Sequence, residues 1–139
     1  MSRPRCYLSA KMSGLYPEVA NAWRLKATEF LEENFNVFNP CTYYNFSMNP
    51  LSYTEEEVKH FDLWNLKHSD IVLVNLNYPD SIGTAIELHI AHDELEIPVI
   101  GYGGKDLWIH PWMKLCITKW CDTLEDAVNY INGYYLPNL

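Results

Sequence analysis

The stretch IVLVNL, residues 71–76, decides the fold of this chain. It is apolar almost throughout, which is typical of a strand in a parallel sheet that helices cover on both faces. A strand with one solvent-exposed face would alternate apolar and polar residues instead. A loop over 77–83 follows, and then a helical pattern in SIGTAIELHIAHDELE, residues 81–96. A buried strand, a loop and an amphipathic helix in succession indicate an α/β fold.

The same alternation continues on either side of this unit. Short apolar segments predict strands over 6–9, 36–39, 98–101 and 115–120. Apolar residues at helical spacing and capping patterns at Thr54 and Thr123 predict helices over 17–35, 55–68 and 123–132. We therefore expect a single-domain α/β protein over residues 1–139, with a doubly wound, flavodoxin- or Rossmann-like sheet of about five parallel strands, in the order 2-1-3-4-5, and helices on both faces.

Composition argues against several classes of protein. The 139 residues carry a net charge of −8, which repels a polyphosphate backbone and argues against a nucleic-acid polymer as the partner. The sequence has no signal-peptide core and no window near the ~20 apolar residues of a membrane span, so we expect a cytoplasmic protein without a membrane partner. Cysteines 6, 41, 116 and 121 form no CxxC pair, and we interpret them as reduced thiols.

The predicted strand order also predicts the position of a ligand pocket. In sheets of this class, ligands bind beyond the carboxyl ends of the strands where the strand order reverses, here between the first and third strands. The loops that leave these strands cover residues 11–14 and 77–83. The aromatic and Asn-rich segment 41–53 is either a functional loop or lid, or simply a packed surface loop.

Glu87 lies about one turn inside the helix that follows the second loop, and the residues alone leave its role open. Acidic side chains near a helix start commonly complement the helix dipole. A carboxylate at the floor of a pocket can instead attack an anomeric carbon, with Asp62 on the preceding helix as the partner acid. Ser81 and its neighbours similarly indicate either an anion site at a helix amino terminus or simple N-capping by Ser81 or Thr84, and Asp80 opposes an anion.

A metal site is a further possibility at this helix. Glu87, His89, His92 and Asp93 are potential ligands, with the two histidines three residues apart. No further ligand accompanies them at a recognisable spacing in the sequence. We therefore expect neither a metal nor a cofactor.

Three segments together resemble the nucleoside 2-deoxyribosyltransferase family, including its relatives that hydrolyse 2′-deoxynucleoside 5′-monophosphates. The segments are CYLSAKMSG (6–14), FDLWNLKHSDIVLVNL (61–76) and SIGTAIELHIA (81–91), and the resemblance extends over about residues 5–102. It implies that Glu87 is the nucleophile, that Asp62 protonates or positions the leaving base, and that Tyr7 orients Glu87. The predicted substrate-binding residues are Ser9, Lys11, Met12, Gly14, Ser81 and Gly83.

The resemblance also implies a reaction. Glu87 would displace the base of a deoxynucleoside or deoxynucleotide from C1′, and another base or water would capture the deoxyribosyl ester. Six residues before the nucleophile, the family's nucleoside transferases often carry an Asp that holds the 5′-hydroxyl, and its monophosphate hydrolases carry a Ser for the phosphate. Ser81 stands at this position, so the resemblance favours a 5′-phosphate, although Asp80 beside it blurs the comparison. The nucleotide hydrolases tend to carry an arginine where this chain has Ser13, which weakens that inference unless Lys11 replaces the charge.

Assembly and two rival functions complete the expectations. Members of the family form symmetric oligomers in which a neighbour helps to close the pocket, so a homodimer or a larger homo-oligomer is expected. The apolar tail over 134–139 would either serve this contact or pack on its own domain. A nucleotide-sensing module without turnover and a flavodoxin-like electron carrier are the alternatives to an enzyme.

Overall fold

The computed structural model describes residues 3–42 and 53–139. Its sheet has five parallel strands in the order β2-β1-β3-β4-β5, which confirms the predicted topology. The strands are β1 (Arg5–Ser9), β2 (Asn36–Phe38), β3 (Ile71–Asn75), β4 (Val99–Tyr102) and β5 (Lys119–Cys121). Most of the segment 41–53, predicted as a loop or lid, lies outside the described residues.

Within the described ranges, five α-helices connect or follow these strands. They are α1 (Pro17–Leu31), α2 (Glu55–Lys67), α3 (Ile82–His89), α4 (Pro111–Lys114) and α5 (Leu124–Tyr130). The predicted capping box at the start of α2 is confirmed, since the Glu57 N–H donates to Thr54 Oγ1 and the Thr54 N–H donates to Glu57 Oε1, both at 3.1 Å. No helix among residues 3–42 and 53–139 is long and apolar enough to cross a membrane.

Helices cover both faces of the sheet because alternate strand residues bury into two separate cores. On β3, Ile71 and Leu73 join the core formed with α1 and α5. Val72 and Val74 point the other way, into the core formed with α2, α3 and α4. All five residues of β3 are buried, which explains the continuous apolar run at 71–76.

The first and third strands pair directly, and their register sets the position of the pocket. Tyr7 is opposite Val72, and Ser9 is opposite Val74 near the carboxyl end of both strands. Tyr7 lies in the core with α2 and α3, and Ser9 is two residues further along the same strand face. The polar side of β1 therefore approaches α3, the helix that carries Glu87.

The fifth strand is shorter and begins later than the predicted 115–120. The chain first forms the single helical turn α4, and then a tight turn in which the Cys116 N–H donates to the Met113 carbonyl at 3.0 Å. Leu115 is 74% exposed, whereas Met113 and Cys116 are buried against the sheet. The apolar residues that suggested a strand thus belong mostly to a turn, and β5 starts at Lys119.

The last helix continues beyond its predicted end near residue 132. A π-helical segment, Ile131–Tyr135, and a 3-10 turn, Leu136–Asn138, follow α5. Tyr135 and Leu136 pack against the core, as expected if the tail folds onto its own domain.

Candidate active site

Helix α3 brings Glu87 to the edge of the sheet, and a local cap defines where this helix begins. The Ser81 hydroxyl accepts a hydrogen bond from the Thr84 N–H at 3.2 Å and another from the Thr84 hydroxyl at 2.8 Å. N-capping by Ser81, one of the two predicted alternatives, is therefore present in the fold. Ser81 also borders the cavity described below, so the cap and the cavity share this residue.

Two hydroxyl groups from β1 hold the carboxylate of Glu87. The Tyr7 hydroxyl donates to Glu87 Oε2, and the Ser9 hydroxyl donates to Glu87 Oε1 at 2.8 Å. The Tyr7 ring is itself fixed by stacking on Phe38, with 5.2 Å between the ring centroids. Each carboxylate oxygen therefore has its own donor, which restrains the orientation of the group.

The surroundings of Glu87 change its acidity. Burial raises the pKa of Glu87 to about 7, although the hydrogen bonds from Tyr7 and Ser9 lower it. The negative charge of Asp62 raises it further, and the positive charge of Arg24 lowers it. Burial and the Glu87 charge in turn hold the pKa of Tyr7 well above its usual range, so Tyr7 stays protonated and remains a donor.

A cavity of about 490 Å³ opens in front of Glu87, between α2, α3 and the loop after β1. Of the residues predicted for the site, six line this cavity: Lys11, Met12, Asp62, Ser81, Gly83 and Glu87. Tyr7 and Ser9 do not line it, but they contact Glu87 from behind. Gly14 is also absent from the lining, and its φ of +86° indicates a role in the turn after β1.

The amino-terminal half of α2 contributes lining residues that the sequence did not single out. Glu55, Val58, Lys59 and Leu63 border the cavity together with Asp62. Their spacing of three to four residues puts them on one side of the helix, next to Asp62. Extending the helical pattern outward from Asp62 would have identified this face.

Arg24 is a buried cation that sequence reasoning also missed. It is fully buried on α1, and its guanidinium donates to the Ala10 carbonyl at 2.8 Å and to the Ala20 carbonyl. Ala10 directly follows β1 and lines the cavity. Arg24 thus attaches the pocket loop to α1, and its positive charge reaches Glu87. An arginine within an amphipathic helix gave no signal of this position.

An ion pair lies at the rim of the cavity. Lys11 Nζ and Asp80 Oδ2 are 2.8 Å apart, and both residues line the cavity. The hydrogen bond from Lys11 lowers the pKa of Asp80. The negative charge of Asp80, which was expected to oppose a bound anion, is thus paired with Lys11.

The four residues considered as metal ligands separate into two places. Glu87 is bound by Tyr7 and Ser9. Asp93 instead contacts His89 Nδ1 at 3.1 Å and His92 Nδ1 at 2.7 Å, in the π-helical segment Ile90–Glu94 that continues α3. Glu87 therefore belongs to the cavity and the other three form a separate group.

Known structures share this fold. A conserved protein of Enterococcus faecalis V583 superimposes with a TM-score of 0.76 at 13% identity, over 94% of this chain and 98% of its own. A 2-deoxyribosyltransferase from the psychrotolerant bacterium Bacillus psychrosaccharolyticus superimposes with a TM-score of 0.72 at 22% identity, over 95% of each chain. At these identities the likeness establishes the α/β fold alone.

Sequence comparison adds the family. No curated protein matches this chain significantly. One family model, Domain of unknown function (DUF4406), matches residues 4–100, which include β1 to β3, α3 and every residue of the candidate site. The chain belongs to this family of proteins, the Domain of unknown function (DUF4406) family.

Proposed function

We propose that this protein cleaves the N-glycosidic bond of 2′-deoxyribonucleosides or their 5′-monophosphates and transfers the deoxyribosyl group to another nucleobase or to water. The observation that carries the proposal is the Glu87 carboxylate, held by the Tyr7 and Ser9 hydroxyls at the cavity wall. The cavity, at about 490 Å³, is in the size range of small-molecule sites. The shared fold with a 2-deoxyribosyltransferase is consistent with this reaction.

Glu87 is suited to act as a nucleophile in the first step. With a pKa of about 7, a large fraction of Glu87 is ionised near neutral pH. One carboxylate oxygen attacks C1′ of the sugar, the C1′–N bond breaks, and an ester joins Glu87 to the deoxyribosyl group. The Tyr7 and Ser9 hydroxyls hold the carboxylate in one orientation, which reduces the entropy lost in reaching the transition state.

Asp62 is suited to handle the proton of the leaving base. It lines the same cavity, and its negative charge raises the pKa of Glu87, so the two carboxyl groups interact. To act as the general acid of this step, Asp62 must carry a proton on its carboxyl group when the substrate is bound. Asp62 donates this proton to the departing base nitrogen. In the second step Asp62 takes a proton from water or from the incoming base, which attacks C1′ and releases Glu87, so the configuration at C1′ is retained.

The protein is incubated with a panel of 2′-deoxynucleosides and 2′-deoxynucleoside 5′-monophosphates, with and without an acceptor base. Chromatography measures the free base that is released. We expect Glu87→Gln to abolish base release, because the amide cannot replace the carboxylate as the nucleophile. Glu29→Gln, which removes an exposed glutamate from α1, is the matched control and should keep wild-type activity. Equal base release by wild type and Glu87→Gln would refute the proposal. Binding of these ligands without any product would favour a nucleotide-sensing module instead.

A further inference from the structure

His89, His92 and Asp93 form a group outside the proposed active site, and the fold brings a fourth potential ligand to it. Cys116 follows α4, and its sulfur joins His92 and Asp93 in a set whose ligand atoms all lie within 4.8 Å of one another. Asp93 also contacts His89 at 3.1 Å. The imidazoles of His89 and His92 thus contact the Asp93 carboxylate, and the Cys116 sulfur approaches His92 and Asp93 from a second chain segment.

We propose that His92, Asp93 and Cys116 bind a zinc ion, with His89 as the fourth ligand. Imidazole nitrogen, carboxylate oxygen and thiolate sulfur are the donors that zinc prefers, and four of them suit its tetrahedral coordination. Calcium and magnesium prefer sets made of oxygen alone, so the donor types select against them. This inference departs from the sequence expectation that the protein binds no metal, and it is independent of the proposed reaction.

The spacing of the donor atoms fits a small ion. Bonds of about 2.0–2.3 Å in a tetrahedral site place ligand atoms about 3.3–3.8 Å apart. The separations among His92, Asp93 and Cys116 bracket that range, from 2.7 Å between His92 and Asp93 to at most 4.8 Å. His89 Nδ1 lies 3.1 Å from the Asp93 carboxylate. The side chains of His92 and Asp93 are partly exposed, so both have room to rotate towards an ion.

The charges also balance. An ionised Asp93 and a Cys116 thiolate supply two negative charges, which neutralise Zn²⁺ when both histidines are neutral. The Cys116 thiol releases its proton to solvent when the ion binds, because the thiolate is the form that ligates a metal.

The local fold gives the site a structural consequence. His92 and Asp93 lie in the π-helical segment after α3, a type of distortion that is often found at functional sites. Cys116 lies in the turn between α4 and β5. A bound ion would join the end of the helix that carries Glu87 to this turn, and it would stabilise the folded state by mass action.

The test uses the metal-free full chain titrated with Co²⁺, a spectroscopic substitute for zinc. We expect one ion per chain, visible d–d bands of tetrahedral cobalt, and a near-ultraviolet band from thiolate-to-cobalt charge transfer, all reversed by Zn²⁺. Cys116→Ser should remove the charge-transfer band. His92→Gln should weaken binding at least about tenfold, since even the loss of outer-shell partners of a metal site costs 10–100-fold in affinity.

Matched variants keep this test decisive. Cys121→Ser and His60→Gln remove a cysteine and a histidine elsewhere in the chain and should leave both the bands and the affinity unchanged. His92→Gln and Asp93→Asn alter partly exposed positions, so they decide the question if Cys116→Ser does not fold. Absence of the charge-transfer band in the wild type, its persistence in folded Cys116→Ser, or unchanged affinity in both His92→Gln and Asp93→Asn would overturn the zinc site.

Discussion

Replacing Tyr7 by phenylalanine tests how β1 controls the acidity of Glu87. The substitution removes one hydrogen bond to the carboxylate and keeps the ring that stacks on Phe38. A hydrogen bond to a charged group contributes about 1.5–3 kcal/mol, and one pKa unit corresponds to about 1.36 kcal/mol. Because the lost bond stabilised the ionised form, the pKa of Glu87 should rise from about 7 by about one unit or more.

The expected result is a shift of the pH-rate profile. If Glu87 must be ionised to attack C1′, the acidic limb of kcat/KM reports its pKa in the free enzyme. A rise of about one unit lowers the ionised fraction at pH 7 from about one half to about one tenth, so kcat/KM there should fall about fivefold or more. The loss should shrink as the pH rises, because Glu87 then ionises in both proteins.

The assay is base release from the best substrate between about pH 5 and 9, with circular dichroism to confirm folding. Tyr16→Phe is the control, because Tyr16 is 76% exposed and is not among the residues that line the cavity. Its acidic limb should coincide with that of the wild type. An acidic limb at the same pH in Tyr7→Phe and in the wild type would refute the reasoning that Tyr7 stabilises the ionised Glu87.

Three further predictions concern stability and specificity. Glu87→Gln should gain stability relative to the wild type as the pH rises from about 4.5 to about 7, by up to about 3 kcal/mol in chemical denaturation. In this range the Glu87 carboxyl of the wild type keeps its proton in the folded state and loses it in the unfolded state, so the wild type loses stability. Asp80→Asn should lower KM for 5′-monophosphates and Lys11→Met should raise it, as measured by base release, because Asp80 repels a phosphate and Lys11 attracts one. Gly104→Ala should cost several kcal/mol of unfolding free energy, since the φ of Gly104 is +69° and an added Cβ would lie 2.3 Å from the backbone oxygen of Leu76, just after β3. Gly133→Ala should cost little, because no atom lies within 4 Å of the position that its Cβ would take.

Each of these predictions has a result that contradicts it. The stability argument fails if the difference between Glu87→Gln and the wild type does not vary with pH. If Asp80→Asn and Lys11→Met have the same KM for monophosphates, the phosphate lies elsewhere. If Asp80→Asn raises KM for nucleosides alone, Asp80 holds a 5′-hydroxyl instead. Equal stability of the two alanine variants would contradict the close approach at Gly104.

Local patterns in the sequence were sufficient to predict most of the elements. The run at 71–76 predicted a strand buried on both faces, because only a covered strand is apolar on both sides. The Thr54–Glu57 capping box located the start of α2, because its hydrogen bonds join residues three apart. The fifth strand was misplaced, because a turn that buries Met113 and Cys116 has the same local composition as a short strand.

The sequence by itself determined the α/β class, because hydrophobic periodicity distinguishes buried strands from amphipathic helices. The strand order typical of that class then predicted the edge of the sheet at which the cavity opens. Only the tertiary structure decided what surrounds the reactive groups. Tyr7 and Glu87 are 80 residues apart in the chain, and their hydrogen bond, like the raised pKa of Glu87, depends on how β1 packs against α3. The approach of Cys116 to His92 and Asp93 likewise depends on packing between distant segments, which no local pattern records.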